Sequence, residues 1–234
     1  MMGDLIADLT EIALKASVWA LPVIIAITMH EAAHGYAALR CGDPTALMAG
    51  RISINPLRHV DAFGTILLPA LLLLIKAPFL FGYAKPVPVD FSRLDHPRRD
   101  MVWVAAAGPA TNLVLAVLSA LLLHAAPLAP EWAAPWLMAN MNNSIIINVI
   151  LAIFNMLPLP PLDGGRVAVG LLPDALALPL ARLERYGLAI LLAAMFLLPF
   201  IGGRLGTDLN VLRWIVGVPA EYLFELVATI TGHR

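Results

Sequence analysis

From Met101 to Ala125 the chain runs 25 residues, "MVWVAAAGPATNLVLAVLSALLLHA", without Lys, Arg, Asp or Glu. A bilayer core takes roughly 20 apolar residues to cross, and inside it every backbone polar group needs a partner within the protein, so such a run has to be a helix. The pattern recurs at about 13–39, from Trp132 to Leu162, and at about 185–203. Hydrophobic residues make up 60% of the 234, and charged residues only 13%. Soluble domains are about half apolar and a quarter charged. The sequence therefore predicts an all-α membrane protein, a polytopic helical bundle of about 5–6 hydrophobic segments.

Two segments are ambiguous by hydropathy. Arg213, Glu221 and Glu225 interrupt 208–231, which either crosses obliquely or lies along the interface. The window 62–83 is apolar but carries Pro69, Lys76, Pro78 and two glycines. Basic residues flank it on both sides, Arg40, Arg51 and Arg58 before it and Lys85, Arg93, Arg98 and Arg99 after it. A full crossing would put one cluster on the wrong side of the positive-inside rule, so a re-entrant hairpin is expected. The acidic N-terminus and the 125–138 loop then face outward, and Arg166, Arg182 and Arg185 inward. The stretches 50–55, "GRISIN", and 84–89, "AKPVPV", read as short β-strands at the cytoplasmic face. Pro86 and Pro88 confine the second to an edge. No repeat or long linker is visible, which predicts one domain over 1–234, with a core at about 13–170 and accessory helices at about 183–231.

Several classes are disfavoured. A net charge of −1 gives no basic footprint, so no nucleic-acid partner is expected. The lone Cys41 excludes an intramolecular disulfide and a cysteine-rich zinc site. Asp4, Asp8 and Glu11 precede the first apolar stretch in place of a basic region, so no cleaved signal peptide is expected.

Within Ala16–Leu39 the only Lys, Arg, Asp, Glu or His residues are His30, Glu31 and His34, in "TMHEAAHGYA". Each such group at membrane depth costs about 2.5–3.5 kcal/mol on insertion scales, so it calls for a partner or a task. Histidines four apart share a helix face and can share a cation. Two neutral imidazoles suit zinc, and a catalytic zinc needs a third protein ligand. Glu31, about 100° further round the helix, stands beside the metal position, where it can take a proton from activated water. The third ligand should be an acid or histidine from another span. Asp163 is the best candidate, since it ends the uncharged run in "NMLPLPPLDGG", where three prolines stop a regular helix and Gly164 and Gly165 allow a turn. Asn155 offers an amide for a developing oxyanion. Asn112 and Asn148 are candidate supporting donors, although Asn112 reads better as helix packing. His59, His96, His124 and His233 read as solvated residues in loops or at span ends.

"HEAAHGYAA", "AGPATN" and "FNMLPLPPLDGGR" together closely resemble the site-2 protease family (peptidase family M50) of intramembrane zinc metalloproteases. "NPLRHVDAFGTILLP" and "AKPVPV" resemble its compact prokaryotic branch. The resemblance covers about residues 20–170 and implies that His30, His34 and Asp163 hold one Zn2+ per chain. It implies Glu31 as the general base and Asn155 as the stabilising amide. The substrate would be a transmembrane-helix protein in a lipid bilayer, cut near the cytoplasmic side of a prokaryotic inner membrane. Strands beside the site would receive the unwound substrate, with 62–83 as gate. Many relatives carry a PDZ or CBS domain, and none is expected here. The competing reading is a membrane metal transporter or a non-catalytic zinc-binding protein. Transport pathways carry ionisable residues through the membrane depth, and the outer halves of these spans have none.

Overall fold

A computed structural model describes residues 2–68, 71, 74 and 84–233. The described residues form nine α-helices: α1 (Met2–Arg40), α2 (Thr45–Met48), α3 (Pro97–Leu123), α4 (Ala134–Asn155), α5 (Asp163–Leu171), α6 (Asp174–Arg182), α7 (Glu184–Leu192), α8 (Leu198–Leu205) and α9 (Val218–Ile230). A wide turn at Ala193–Leu197 joins α7 to α8. Among the described residues, four stretches are long and apolar enough to cross a bilayer: Ala13–Arg40, Pro97–Leu123, Ala134–Asn155 and Glu184–Leu205.

Four spans replace the expected five to six segments. The C-terminal segment is a continuous helical stretch in which a wide turn at Arg213–Gly217 runs into α9, and Arg213, Glu221 and Glu225 set it apart from the four apolar stretches. The re-entrant expectation for 62–83 falls largely outside the described residues. Its first part, Ala62–Leu67, is a wide helical turn whose free N–H groups at Phe63 and Gly64 are capped by Asp61.

The two expected strands are also corrected, because among the described residues there is no strand. Residues 50–55 turn at Gly50, which has φ of 62°, and end where Asn55 caps a short Pro56–Arg58 helix. Residues 84–90 lack regular structure. Pro86 and Pro88 contribute no N–H, while the N–H groups of Lys85 and Val87 go to the His59 carbonyl and the Glu31 carboxylate. With alternate donors missing and the others committed, the stretch donates to no neighbouring strand within the chain.

Helix α3 packs against α1, α4 and α5, and α1 also meets α4. Ala116 and Ala120 of α3, Val149 of α4, and Ala220 and Val227 of α9 form one buried cluster. Small side chains let helices in a membrane approach closely and gain van der Waals contact. Pro22 interrupts α1 and leaves the Val18 carbonyl without its usual i+4 donor. Asn143 of α4 supplies one, its Nδ2 lying 2.9 Å from that oxygen.

Three histidines expected to be solvated are held in place. His59 is buried and lies 2.8 Å from the Ser53 carbonyl. The rings of His124 and His233 stack at 4.1 Å. Each donates 2.7 Å across the gap between α3 and the end of α9, to the Thr231 and Ala120 carbonyls. Many large apolar side chains, among them Leu14, Trp19, Trp103, Leu118 and Phe200, stay exposed on the spans, as they would against lipid tails.

Candidate active site

Helix α4 ends at Asn155, and the proline-rich stretch that follows turns the chain back into the bundle, so that α5 begins at Asp163. Gly164 and Gly165 were expected to shape a turn. They instead lie in the first turn of α5, where a Cβ would collide with the backbone of Met156, Leu157, Leu159 and Pro160. This close approach sets Asp163 against α1.

The expected ligand residues meet there. His30 Nε2 and His34 Nε2 are 3.0 Å apart, and Asp163 Oδ2 is 3.2 Å from the first and 3.3 Å from the second. All three residues are at most 9% exposed. His34 Nδ1 lies 2.7 Å from the Val104 carbonyl and His30 Nδ1 lies 2.5 Å from Asn112 Oδ1. A carbonyl only accepts, so His34 Nδ1 carries the proton and its Nε2 presents a lone pair to Asp163. Asp163 Oδ2 is buried with no hydrogen-bond donor aimed at it.

Electron-rich atoms converging on one point with an orphaned carboxylate oxygen among them suit a cation. A tetrahedral zinc with bonds of ~2.0–2.1 Å holds its ligand atoms about 3.3 Å apart, close to the spacing found. The donor set, two imidazoles and a carboxylate, also suits zinc.

The remaining expected residues line the same cavity, of about 430 Å³. Glu31 is half-buried beside His30, and its Oε2 accepts from the Val87 N–H at 2.8 Å. Asn155 commits one amide hydrogen to the Leu151 carbonyl at 3.0 Å. Ile27, Leu151, Phe154, Leu188 and Leu191 make the wall apolar, and Arg166 stands among the lining residues with its guanidinium 5.3 Å over the Phe91 ring.

Gly108 and Asn112 carry more than the helix packing expected of "GPATN". A Cβ at Gly108 would overlap the Nε2 atoms of both histidines, so the bare backbone of α3 is what admits the two rings. Asn112 is fully buried, and its Oδ1 faces His30. The signal available in the sequence was polarity, an amide one helical turn from a glycine in an otherwise apolar span.

A bundle of apolar helices that brings two imidazoles and a carboxylate close enough to share a cation, with a second carboxylate beside them, fits a membrane-embedded metal site. Comparison with known families matches residues 18–131 and 129–198 to Peptidase family M50. The chain belongs to that family and is an intramembrane zinc metalloprotease. It is 39% identical over 181 residues to YwhC of Bacillus subtilis (strain 168), named a zinc metalloprotease, covering 76% of this chain and 78% of the relative. Rip2 of Mycobacterium tuberculosis (strain ATCC 25618 / H37Rv), likewise named, is 29% identical over 205 residues, covering 87% of this chain and 71% of the relative. No solved structure matches. The chain is an integral membrane protein in contact with the lipid bilayer. The metal-transport alternative finds no support in these relatives.

Proposed function

We propose that His30, His34 and Asp163 hold one zinc ion per chain, with Glu31 as general base and Asn155 as an oxyanion-stabilising amide. The observation that carries this is the convergence of His30 Nε2, His34 Nε2 and the donorless Asp163 Oδ2 within 3.0–3.3 Å. When bound, zinc supplies a Lewis acid that polarises a peptide carbonyl and makes water acidic enough to attack near neutral pH. Glu31 takes the proton from the attacking water and passes it to the leaving amine, which leaves the carboxylate ready for another turnover. Asn155, with one amide hydrogen on Leu151, has the other to give to the oxygen on which charge develops. The apolar wall from α4 and α7 keeps bulk water from this exchange and suits the side chains of a membrane segment.

The substrate is a transmembrane-helix protein, locally unwound so that its carbonyl reaches the site. The basic residues after α1 and before α3 set the active site toward the cytoplasmic side of a prokaryotic inner membrane. We further propose that 1–234 acts as one metalloprotease domain. The test is metal content by mass spectrometry on detergent-purified wild type, Glu31→Gln and Asp163→Asn, alongside cleavage of a labelled transmembrane substrate. Zinc in wild type and Glu31→Gln, reduced zinc in Asp163→Asn, and cleavage by wild type alone are expected. Cleavage by Glu31→Gln at the wild-type rate would overturn the base assignment.

A further inference from the structure

We propose that Asn148, which touches neither His30 nor the cavity, is a positioning residue that fixes the tautomer of His30 by orienting the amide of Asn112. The inference rests on the reading of His30 as a metal ligand.

Asn112 and Asn148 are both 0% exposed. A side-chain amide can sit in either of two orientations with its oxygen and nitrogen exchanged, and only the surrounding partners decide between them. Here backbone carbonyls decide, because they only accept. One amide atom of Asn148 lies 2.9 Å from the Ser144 carbonyl, so that atom is the NH2. Its Oδ1 is then the acceptor that faces Asn112 at 2.8 Å, which makes the facing atom of Asn112 its NH2. The Ala26 carbonyl, 3.3 Å from the same nitrogen, agrees. Asn112 Oδ1 is left toward His30 Nδ1 at 2.5 Å. Only a protonated Nδ1 completes that contact, so the Nε2 lone pair faces His34 and Asp163.

The chain of donors continues outward. Ser144 Oγ lies 3.2 Å from Asn148 Nδ2 and 2.7 Å from Ser119 Oγ, so Ser144 accepts from Asn148 and shares a hydrogen bond with Ser119 in which either hydroxyl can donate. From His30 to Ser144 every hydrogen points away from the metal position. The two histidines are therefore held differently. His34 leans on main chain, the Val104 carbonyl, whereas His30 depends on side chains that substitution can remove. Without Asn148 that orientation rests on the Ala26 carbonyl alone, at 3.3 Å, and the amide of Asn112 turns its NH2 toward His30 at much lower cost. Nδ1 then becomes the acceptor, and the ring proton moves to Nε2, where the metal belongs.

The test measures zinc affinity of the full chain in detergent by competition with a chromophoric chelator, with the visible absorption of Co2+ as a second probe. Partners of this kind typically contribute 10–100-fold in metal affinity. Asn148→Leu should lose about tenfold or more of zinc affinity and weaken the tetrahedral Co2+ band, with helix content unchanged. Asn148→Ala, read the same way, serves if the leucine does not fit. The double variant Asn148→Leu/Asn112→Asp should recover affinity, because a carboxylate presents oxygen to His30 in either orientation. A purely structural role for Asn148 predicts no such rescue. Wild-type affinity in both single variants, or a double variant no tighter than Asn148→Leu, would overturn the proposal. His30→Ala separates the two levels. If it loses zinc while the Asn148 variants keep it, the ligand reading stands and the tautomer proposal falls; if it binds as wild type does, both fall.

Discussion

The carboxylate of Glu31 accepts a hydrogen bond from the backbone N–H of Val87, 56 positions along the chain, at 2.8 Å. Val87 is flanked by Pro86 and Pro88, so it holds the single N–H of that tripeptide. A hydrogen bond to a charged group contributes about 1.5–3 kcal/mol, and here it fixes which way the carboxylate faces.

Val87→Pro removes that donor without touching a charged residue. Cleavage should fall by about tenfold or more, the lower part of the range such a bond is worth, with zinc content unchanged. Val87→Ala keeps the N–H and should stay near wild type. Single-turnover cleavage with parallel metal analysis makes the comparison, and equal rates for the proline and alanine variants would contradict it.

Gly108→Ala puts a methyl group where the Nε2 atoms of His30 and His34 now lie. Overpacking of this kind typically costs about 1–3 kcal/mol, and here the strain falls on the ligand atoms themselves. Zinc affinity should drop at least about tenfold on that scale and cleavage should fall with it, while helix content by circular dichroism stays unchanged.

Asp43 links the end of α1 to the Val87 segment. It is fully buried, and its carboxylate accepts from the Thr45 hydroxyl and N–H and from the Asp90 N–H. Burial works to raise its carboxyl, but these donors outweigh that and hold it below its ordinary value. With the folded value depressed, the stabilisation is complete above the unfolded value of about 3.9 and is lost as pH falls through the folded one. Asp43→Asn turns one acceptor into a donor facing a donor and should cost about 1–3 kcal/mol near neutral pH. The gap in thermal midpoint between wild type and variant should narrow below about pH 4.

Chelation should act through the same three ligand residues. Treatment with 1,10-phenanthroline should abolish cleavage, and added zinc should restore it to wild type but not to Asp163→Asn. Cleavage that survives complete removal of metal, verified by mass spectrometry, would contradict a metal-dependent reaction.

Much of this was readable from the sequence because the membrane penalises polarity. His30, Glu31 and His34 stood out in an apolar window, and Asp163 ended an uncharged run, so their convergence followed from the cost of leaving them apart. Helix spans were readable for the same reason. The strands were not, because "GRISIN" and "AKPVPV" have the right residue types, but which N–H groups are already committed to His59 and Glu31 depends on partners distant in sequence. Asn112 was underestimated because an amide looks the same whether it bonds a helix or a ligand. Only the position of His30, 82 residues away and 2.5 Å distant, tells the two apart.

From Lys85 to Pro88 each backbone N–H is either absent or already bonded within the molecule. A peptide laid along this stretch must therefore bring its own donors, and the stretch can give none in return. Two copies of the enzyme cannot zip together through it, since each would offer only acceptors to the other. The proline spacing thus makes the stretch an edge that can only accept, with Arg51 already donating to its Lys85 and Pro86 carbonyls, and such an edge cannot template its own copy.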